Sequence, residues 1–143
     1  MSLVRLSAND IDIILQLESG FCDGWNFSQL KSAFDSGRFF VLGEKDGENL
    51  IAFVSYSLAM EQADIETVFV KDEFRRRGIA KTLIERAQAD AKSRGVQKVF
   101  LEVRENNVPA RALYTSLGYE QISVRKGYYS DGENAVIMAK ELL

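Results

Sequence analysis

The passage from Glu61 to Val103 constrains this chain more than any other, because it reads as strand, helix, strand. Glu61 to Val70 has the alternation of a strand. Gly78 to Arg94 carries an apolar stripe at helical spacing (Ile79, Leu83, Ile84, Ala87 and Ala91), and Gly95 stops it. Val96 to Val103 is a second, more apolar strand. Two strands joined through such a helix lie parallel in one sheet.

The flanking segments add hairpins and helices. Val4 to Leu6 reads as a short strand, and Asn9 or Asp10 caps a helix with Ile11, Ile14, Leu15 and Leu17 on its apolar face. A second helix starts near Phe27 or Ser28, buries Leu30, Ala33 and Phe34, and ends at Gly37. Arg38 to Leu42 and Leu50 to Met60 form strands about an Asp46-Gly47 turn. Pro109 opens a last helix through Ala112, Leu113 and Leu117 to Gly118, followed by strands at Tyr119 to Arg125 and Ala135 to Lys140. The order β-α-α-β-β-β-α-β-α-β-β predicts an α/β (α+β) fold. A mixed, mostly antiparallel sheet is flanked by helices on both faces, and one domain covers residues 1–143.

Composition removes several chemistries. The 143 residues include no histidine and one cysteine, Cys22. Ser-His-Asp and Cys-His machinery, histidine metal sites, cysteine metal clusters and intrachain disulfides are therefore excluded. A formal charge of −3 gives no broad basic footprint for nucleic acid. No apolar run approaches the roughly 20 residues of a membrane span. Met1 to Asp12 lacks a basic-then-apolar leader pattern, so a cytoplasmic location is expected.

The chemistry concentrates after Val68-Phe69-Val70. Arg75-Arg76-Arg77 leads into Gly78-Ile79-Ala80-Lys81, where a strand gives way to a helix. The first turn of a helix leaves about four amides unpaired, and its dipole adds positive charge. With Gly78 and Ala80 keeping side chains clear, a diphosphate fits on those amides, ringed by Arg75, Arg76, Arg77 and Lys81. The plainer alternative is a glycine loop with a solvated arginine run.

This loop resembles the Arg/Gln-x-x-Gly-x-Gly/Ala signature of the GCN5-related N-acetyltransferase (GNAT) superfamily. Leu101-Glu102-Val103-Arg104-Glu105-Asn106-Asn107, Ala112-Leu113-Tyr114 and Leu117-Gly118-Tyr119 resemble the branch that acetylates the N-terminal alanine of ribosomal proteins. So does Arg125-Lys126-Gly127-Tyr128-Tyr129. The resemblance implies acetyl-CoA as co-substrate, with its pantetheine arm beside Val68, Phe69 and Val70 and its pyrophosphate on Arg76 to Lys81. It implies Glu102 as general base, Asn107 as a cofactor contact and Tyr114 as general acid.

Elementary chemistry agrees. A primary amine is mostly protonated at pH 7 and must lose a proton before attacking a thioester. The departing thiolate is helped by a proton donor. Without histidine, a carboxylate and a phenol are the simplest pair. Glu102 lies in an apolar strand, where partial burial raises a carboxyl; otherwise it is an outward-facing strand residue, and Tyr114 a core aromatic. Asp64 and Glu66, expected to share a strand face with Val68, are the alternative base. Cys22 reads as a bystander thiol. Phe21, Trp25, Tyr128 and Tyr129 either line the acceptor groove or belong to the core. Phe21 to Asn26 is longer than the branch's usual aromatic-Pro-Trp-Ser-like segment and lacks its proline.

The expected activity is acetyl transfer to a protein N-terminal amine, that of a ribosomal protein included, by a monomer or homodimer without a metal. A small-molecule amine or lysine acetyltransferase, and a non-catalytic acetyl-CoA sensor, are the alternatives.

Overall fold

The computed structural model describes residues 1–18 and 26–142, so Phe21, Cys22 and Trp25 lie outside the described residues. The strands are β1 (Ser2–Leu6), β2 (Phe39–Asp46), β3 (Asn49–Ala59), β4 (Gln62–Val70), β5 (Lys98–Arg104), β6 (Glu120–Arg125) and β7 (Ala135–Glu141). The helices are α1 (Ile11–Glu18), α2 (Phe27–Asp35), α3 (Ile79–Ser93) and α4 (Val108–Ser116). Among the described residues these seven strands form one sheet in the order β1-β2-β3-β4-β5-β7-β6. Its β4–β5 pair is parallel and its other neighbours are antiparallel. The predicted element order and mixed sheet are both present.

Helices cover both faces. On one, Leu83, Ile84, Ala87 and Ala91 of α3 and Tyr114 and Leu117 of α4 pack on Val54, Tyr56, Ile65, Leu101 and Met138. On the other, Ile11, Ile14 and Leu30 of α1 and α2 pack on Leu6, Phe39, Val41 and Phe53. Local signals explain the boundaries. Asn26 and Gln29 form a reciprocal capping box that starts α2. The expected cap of the first helix is corrected: Ser7 and Asp10 form a capping box on a 3-10 turn, Ala8–Asp10, that runs into α1. Asn9 and Asp10 therefore lie inside the turn rather than before it.

An irregularity in β4 decides where the site falls. Tyr56 stands opposite Ile65 and Ser55 opposite Thr67, so Glu66 has no partner on β3. Such a bulge advances side-chain alternation by one residue and increases the twist. Ala63 and Ile65 before it face the α3 side, and so do Val68 and Val70 after it. Phe69 packs on the α1–α2 side. The expectation that Asp64 and Glu66 share a face with Val68 is thereby corrected.

Candidate active site

Pairing between β4 and β5 runs from Gln62 opposite Lys98 to Ile65 opposite Leu101 and stops there. Both strands continue, to Val70 and Arg104, so they splay just past the Glu66 bulge. The β5-facing backbone edge at Val68, Phe69 and Val70 is thus left without a strand, which is the edge expected to receive an extended amide-bearing arm. The Arg75 guanidinium donates to the Val70 carbonyl at 3.1 Å, closing the end of that edge.

Beyond Val70 the chain makes one 3-10 turn, Asp72–Phe74, and enters α3 through the arginine run. The arginines are not equivalent. Arg75 pairs with Asp72 at 3.0 Å, and Arg77 lies over the Phe74 ring at 5.1 Å. These contacts shape the loop, and Arg75, Arg76, Arg77 and Lys81 are all exposed at its surface. Arg76 holds a left-handed backbone, φ 65°, which a non-glycine residue adopts at some strain.

Gly78 is the N-cap of α3 at φ 78° and supplies no side-chain cap. Its carbonyl accepts from the Thr82 amide at 3.1 Å and from the Thr82 hydroxyl at 3.0 Å, leaving the amides ahead of Thr82 without a capping group. A Cβ on Gly78 would meet nothing within 4 Å. The left-handed φ therefore demands glycine here, and the chain leaves the space in front of those amides open. Ala80 and Ile79 pack partly against the core. Uncapped amides, open space and the exposed cations around them fit a diphosphate.

On the α1–α2 face, at the splay, lies a cleft of about 620 Å³ lined by Asp64, Glu66, Phe100, Glu102, Arg125 and Tyr128, among others. Burial pushes the Asp64 carboxyl above its ordinary value, and the charge of Glu102 adds to the effect. Burial also raises Glu66, against a hydrogen bond from the Ser57 hydroxyl at 2.6 Å. Glu102 is exposed rather than partly buried, which corrects the expectation, and Asp64 and Glu66 are exposed as well. Arg125 lies 3.7 Å from Glu102 and 5.4 Å from the Tyr128 ring centroid. The Tyr128 hydroxyl is raised by the neighbouring Glu102 carboxylate.

Tyr114 approaches from the other face. Its ring is buried, edge-on to Tyr119 at 6.1 Å, and Tyr119 is anchored by donating to Gln88 at 2.9 Å. Burial, with a smaller contribution from Tyr129, pushes the Tyr114 hydroxyl up to about 12. Among the described residues that hydroxyl makes no hydrogen bond, and no fully enclosed side-chain oxygen lacks a partner, so its tip reaches open space. Tyr114 is thus a core aromatic that also presents a proton. Glu102 and Tyr114 lie on opposite faces of the sheet, and the parting of β4 from β5 is where one substrate can meet both.

Asn107 caps α4, its carboxamide oxygen accepting from the Ala110 amide at 3.2 Å, so its amide nitrogen is what remains to offer a ligand. Tyr129 packs on Arg104 at 4.0 Å, and Arg104 bridges Asp131 and Glu133 at 2.9 Å each. Of the two loop tyrosines, Tyr128 alone lines the cleft. Ser57, Arg125 and Ile122 were not foreseen. Ser57 and Arg125 meet the carboxylates across strands, and Ile122 enters the cleft from a bulge between Gln121 and Ser123; single-sequence patterns carry none of this.

A splayed parallel pair beside a helix that opens on bare amides sets an open strand edge next to an anion site. The sequence profile of the acetyltransferase (GNAT) family matches residues 11–119, and the chain belongs to that family. It is 37% identical over 106 residues to the [ribosomal protein bS18]-alanine N-acetyltransferase of Haemophilus ducreyi, covering 71% of this chain and 73% of that one. It is 40% identical over 84 residues to an N-alpha-acetyltransferase of Saccharolobus solfataricus, covering 58% of this chain, and spans only half that relative's length. The crystal structure of the ribosomal-protein-S18-alanine N-acetyltransferase from Escherichia coli superposes with a TM-score of 0.89 at 27% identity, over 98% of this chain and 92% of that one.

Proposed function

We propose that this chain transfers the acetyl group of acetyl-CoA to the α-amine of a protein N-terminus, with an alanine-initiated ribosomal protein as the acceptor its relatives' names suggest. One observation carries the reading: the β4–β5 splay has a bare, cationic helix start at one end and a carboxylate-lined cleft at the other.

Acetyl-CoA supplies an activated acyl group and a thiol leaving group. The α3 amides, with Arg76 and Lys81, bind its pyrophosphate, and the Val68 to Val70 edge aligns the arm toward the cleft. Glu102 takes a proton from the acceptor ammonium, an α-amino group titrating near 8. The freed nitrogen forms the C–N bond as the C–S bond breaks, Tyr114 gives its proton to the departing sulfur, and the proton that the acylated nitrogen sheds goes to solvent, from which the phenolate is reprotonated. Arg125 and Tyr128 hold Glu102 toward the cleft mouth. A second assignment of the base rests on Glu66, whose carboxyl burial raises toward the range suited to proton abstraction. The reaction belongs in the cytoplasm, in one domain spanning residues 1–143.

Mass spectrometry of unblocked peptides with different first residues, incubated with protein and acetyl-CoA, tests the reading. The expected result is one added acetyl on the α-amine of alanine-initiated peptides and none on N-blocked peptides that contain lysine. Modification confined to lysine side chains, or thiol release only with small amines, would replace it.

A further inference from the structure

Residues 126–134 join β6 to β7 without a helix or strand, and none of them is buried. Their order therefore rests on polar contacts rather than on an apolar anchor. Within the loop, the Tyr129 amide donates to the Glu133 carbonyl at 3.1 Å and the Gly132 amide to the Tyr129 carbonyl at 2.8 Å. Beyond it, the end of β5 takes hold. The Glu105 amide donates to the Asn134 carbonyl at 3.1 Å, and the Asn106 amide to the Glu133 carboxylate at 3.2 Å. Arg104 adds the charged part, its Nη1 donating to Asp131 and to Glu133 at 2.9 Å each.

Arg104 does two things that a lysine cannot do at once. One nitrogen bridges two carboxylates, while the guanidinium carbon lies 4.0 Å over the Tyr129 ring centroid. Its two ion pairs differ. Glu133 is 16% exposed and Asp131 63%, so the Glu133 arm is less screened and carries more of the clamp. Tyr129 in turn meets Tyr128 edge-on, with 5.2 Å between ring centroids. Tyr128 lines the cleft beside Glu102 and Arg125. Arg104 thus reaches the cleft through two rings. It also shares a sheet face with Glu102, which stands opposite Ile137 as Arg104 stands opposite Ala135.

We infer that Arg104 is a positioning residue for the acceptor, clamping residues 126–134 so that Tyr128 stands ready at the cleft. This rests on reading the cleft as the acceptor's site, and adds the device that keeps its mouth formed. Arg104 touches no substrate in this account. Once released, the loop samples arrangements in which Tyr128 leaves the cleft, and an acceptor binds only the formed fraction. A loop formed about one-tenth of the time raises the apparent dissociation constant about 10-fold. The chemistry is spared once the acceptor is bound, because Glu102 sits on β5 and Tyr114 on α4.

The test varies an alanine-initiated peptide and acetyl-CoA in turn. Arg104→Met keeps the stem and loses the charge. It should raise the KM of the peptide about 10-fold, with kcat and the KM of acetyl-CoA staying within about 3-fold. Arg104→Lys should recover about half of that loss on a logarithmic scale. Glu133→Gln should raise the KM of the peptide about 5-fold, and Asp131→Asn about 2-fold. Adding Glu133→Gln to Arg104→Met should change nothing further, since the two residues act through one contact. Glu133→Gln leaves the arginine and its ring contact in place, so it gives the answer if Arg104→Met folds poorly. An unchanged peptide KM in Arg104→Met and Glu133→Gln overturns the inference and leaves the activity standing. So does an equal loss in kcat, both KM values and coenzyme A affinity, which marks an arginine that only supports the fold. Acetylation of no peptide by the native protein overturns the activity and the inference together.

Discussion

The two ends of the β4–β5 splay are built from opposite materials. At the α3 end the field is positive: uncapped amides after Gly78, with exposed Arg75 and Arg77 engaging Val70, Asp72 and Phe74. At the cleft end the field is negative and comes from side chains: Asp64, Glu66 and Glu102, with Arg125 as their partial counterweight. Backbone groups suit a ligand that never varies. Side chains suit one whose identity must be chosen. The bulge at Glu66 lets a single strand serve both, since it turns Val68 and Val70 to one face while Asp64 and Glu66 stay on the other.

The comparison is broken most directly at the carboxylates. Glu102→Gln should lower kcat by about 10² to 10³-fold and abolish the acid limb of the pH–rate profile, whereas Glu66→Gln should lower it about 10-fold or less and shift that limb. The reverse pattern would move the base onto β4. Tyr114→Phe should lower kcat by about 10²-fold while acetyl-CoA affinity changes about 2-fold at most. Because burial holds the Tyr114 hydroxyl up to about 12, the native enzyme should show no alkaline limb from this phenol below about pH 11.

Stability sharpens the contrast in charge. A carboxyl raised by folding binds its proton more tightly in the native state, so it lowers stability as pH rises from its unfolded value through its folded one. Asp64→Asn should therefore raise Tm slightly at pH 7, and the gain should shrink as thermal melts are taken at falling pH. At the other end, Arg76→Gly should raise stability by up to about 1 kcal/mol in urea titration, by relieving the left-handed φ, while weakening coenzyme A binding several-fold.

Much of the fold was legible because its signals are local. The α3 stripe, the Asp46-Gly47 turn, the helix starts near Phe27 and Gly78 and the parallel crossover all follow from residues within one element or its ends. The motif from Arg75 to Lys81 and the roles expected of Glu102, Asn107 and Tyr114 came instead from a family resemblance carried by short contiguous runs. The division of labour among the arginines was not legible, since it depends on what each guanidinium meets after folding. The Glu66 bulge was equally hidden: alternation through Asp64, Glu66 and Val68 looks unbroken in sequence, and only pairing with β3 shows the missing partner. The exposure of Glu102 was misjudged because it sits in the more apolar segment, yet its side chain turns to the open mouth of the cleft.

The claim that joins these observations is that the bare start of α3 receives the pyrophosphate. Calorimetric titration of coenzyme A into the native protein and into Gly78→Val measures it directly. The account predicts one-to-one binding by the native protein and at least about 10-fold weaker binding by the variant, whose Cβ would occupy the open space and whose backbone resists φ 78°. No heat of association with the native protein, or equal affinity in both, would contradict it.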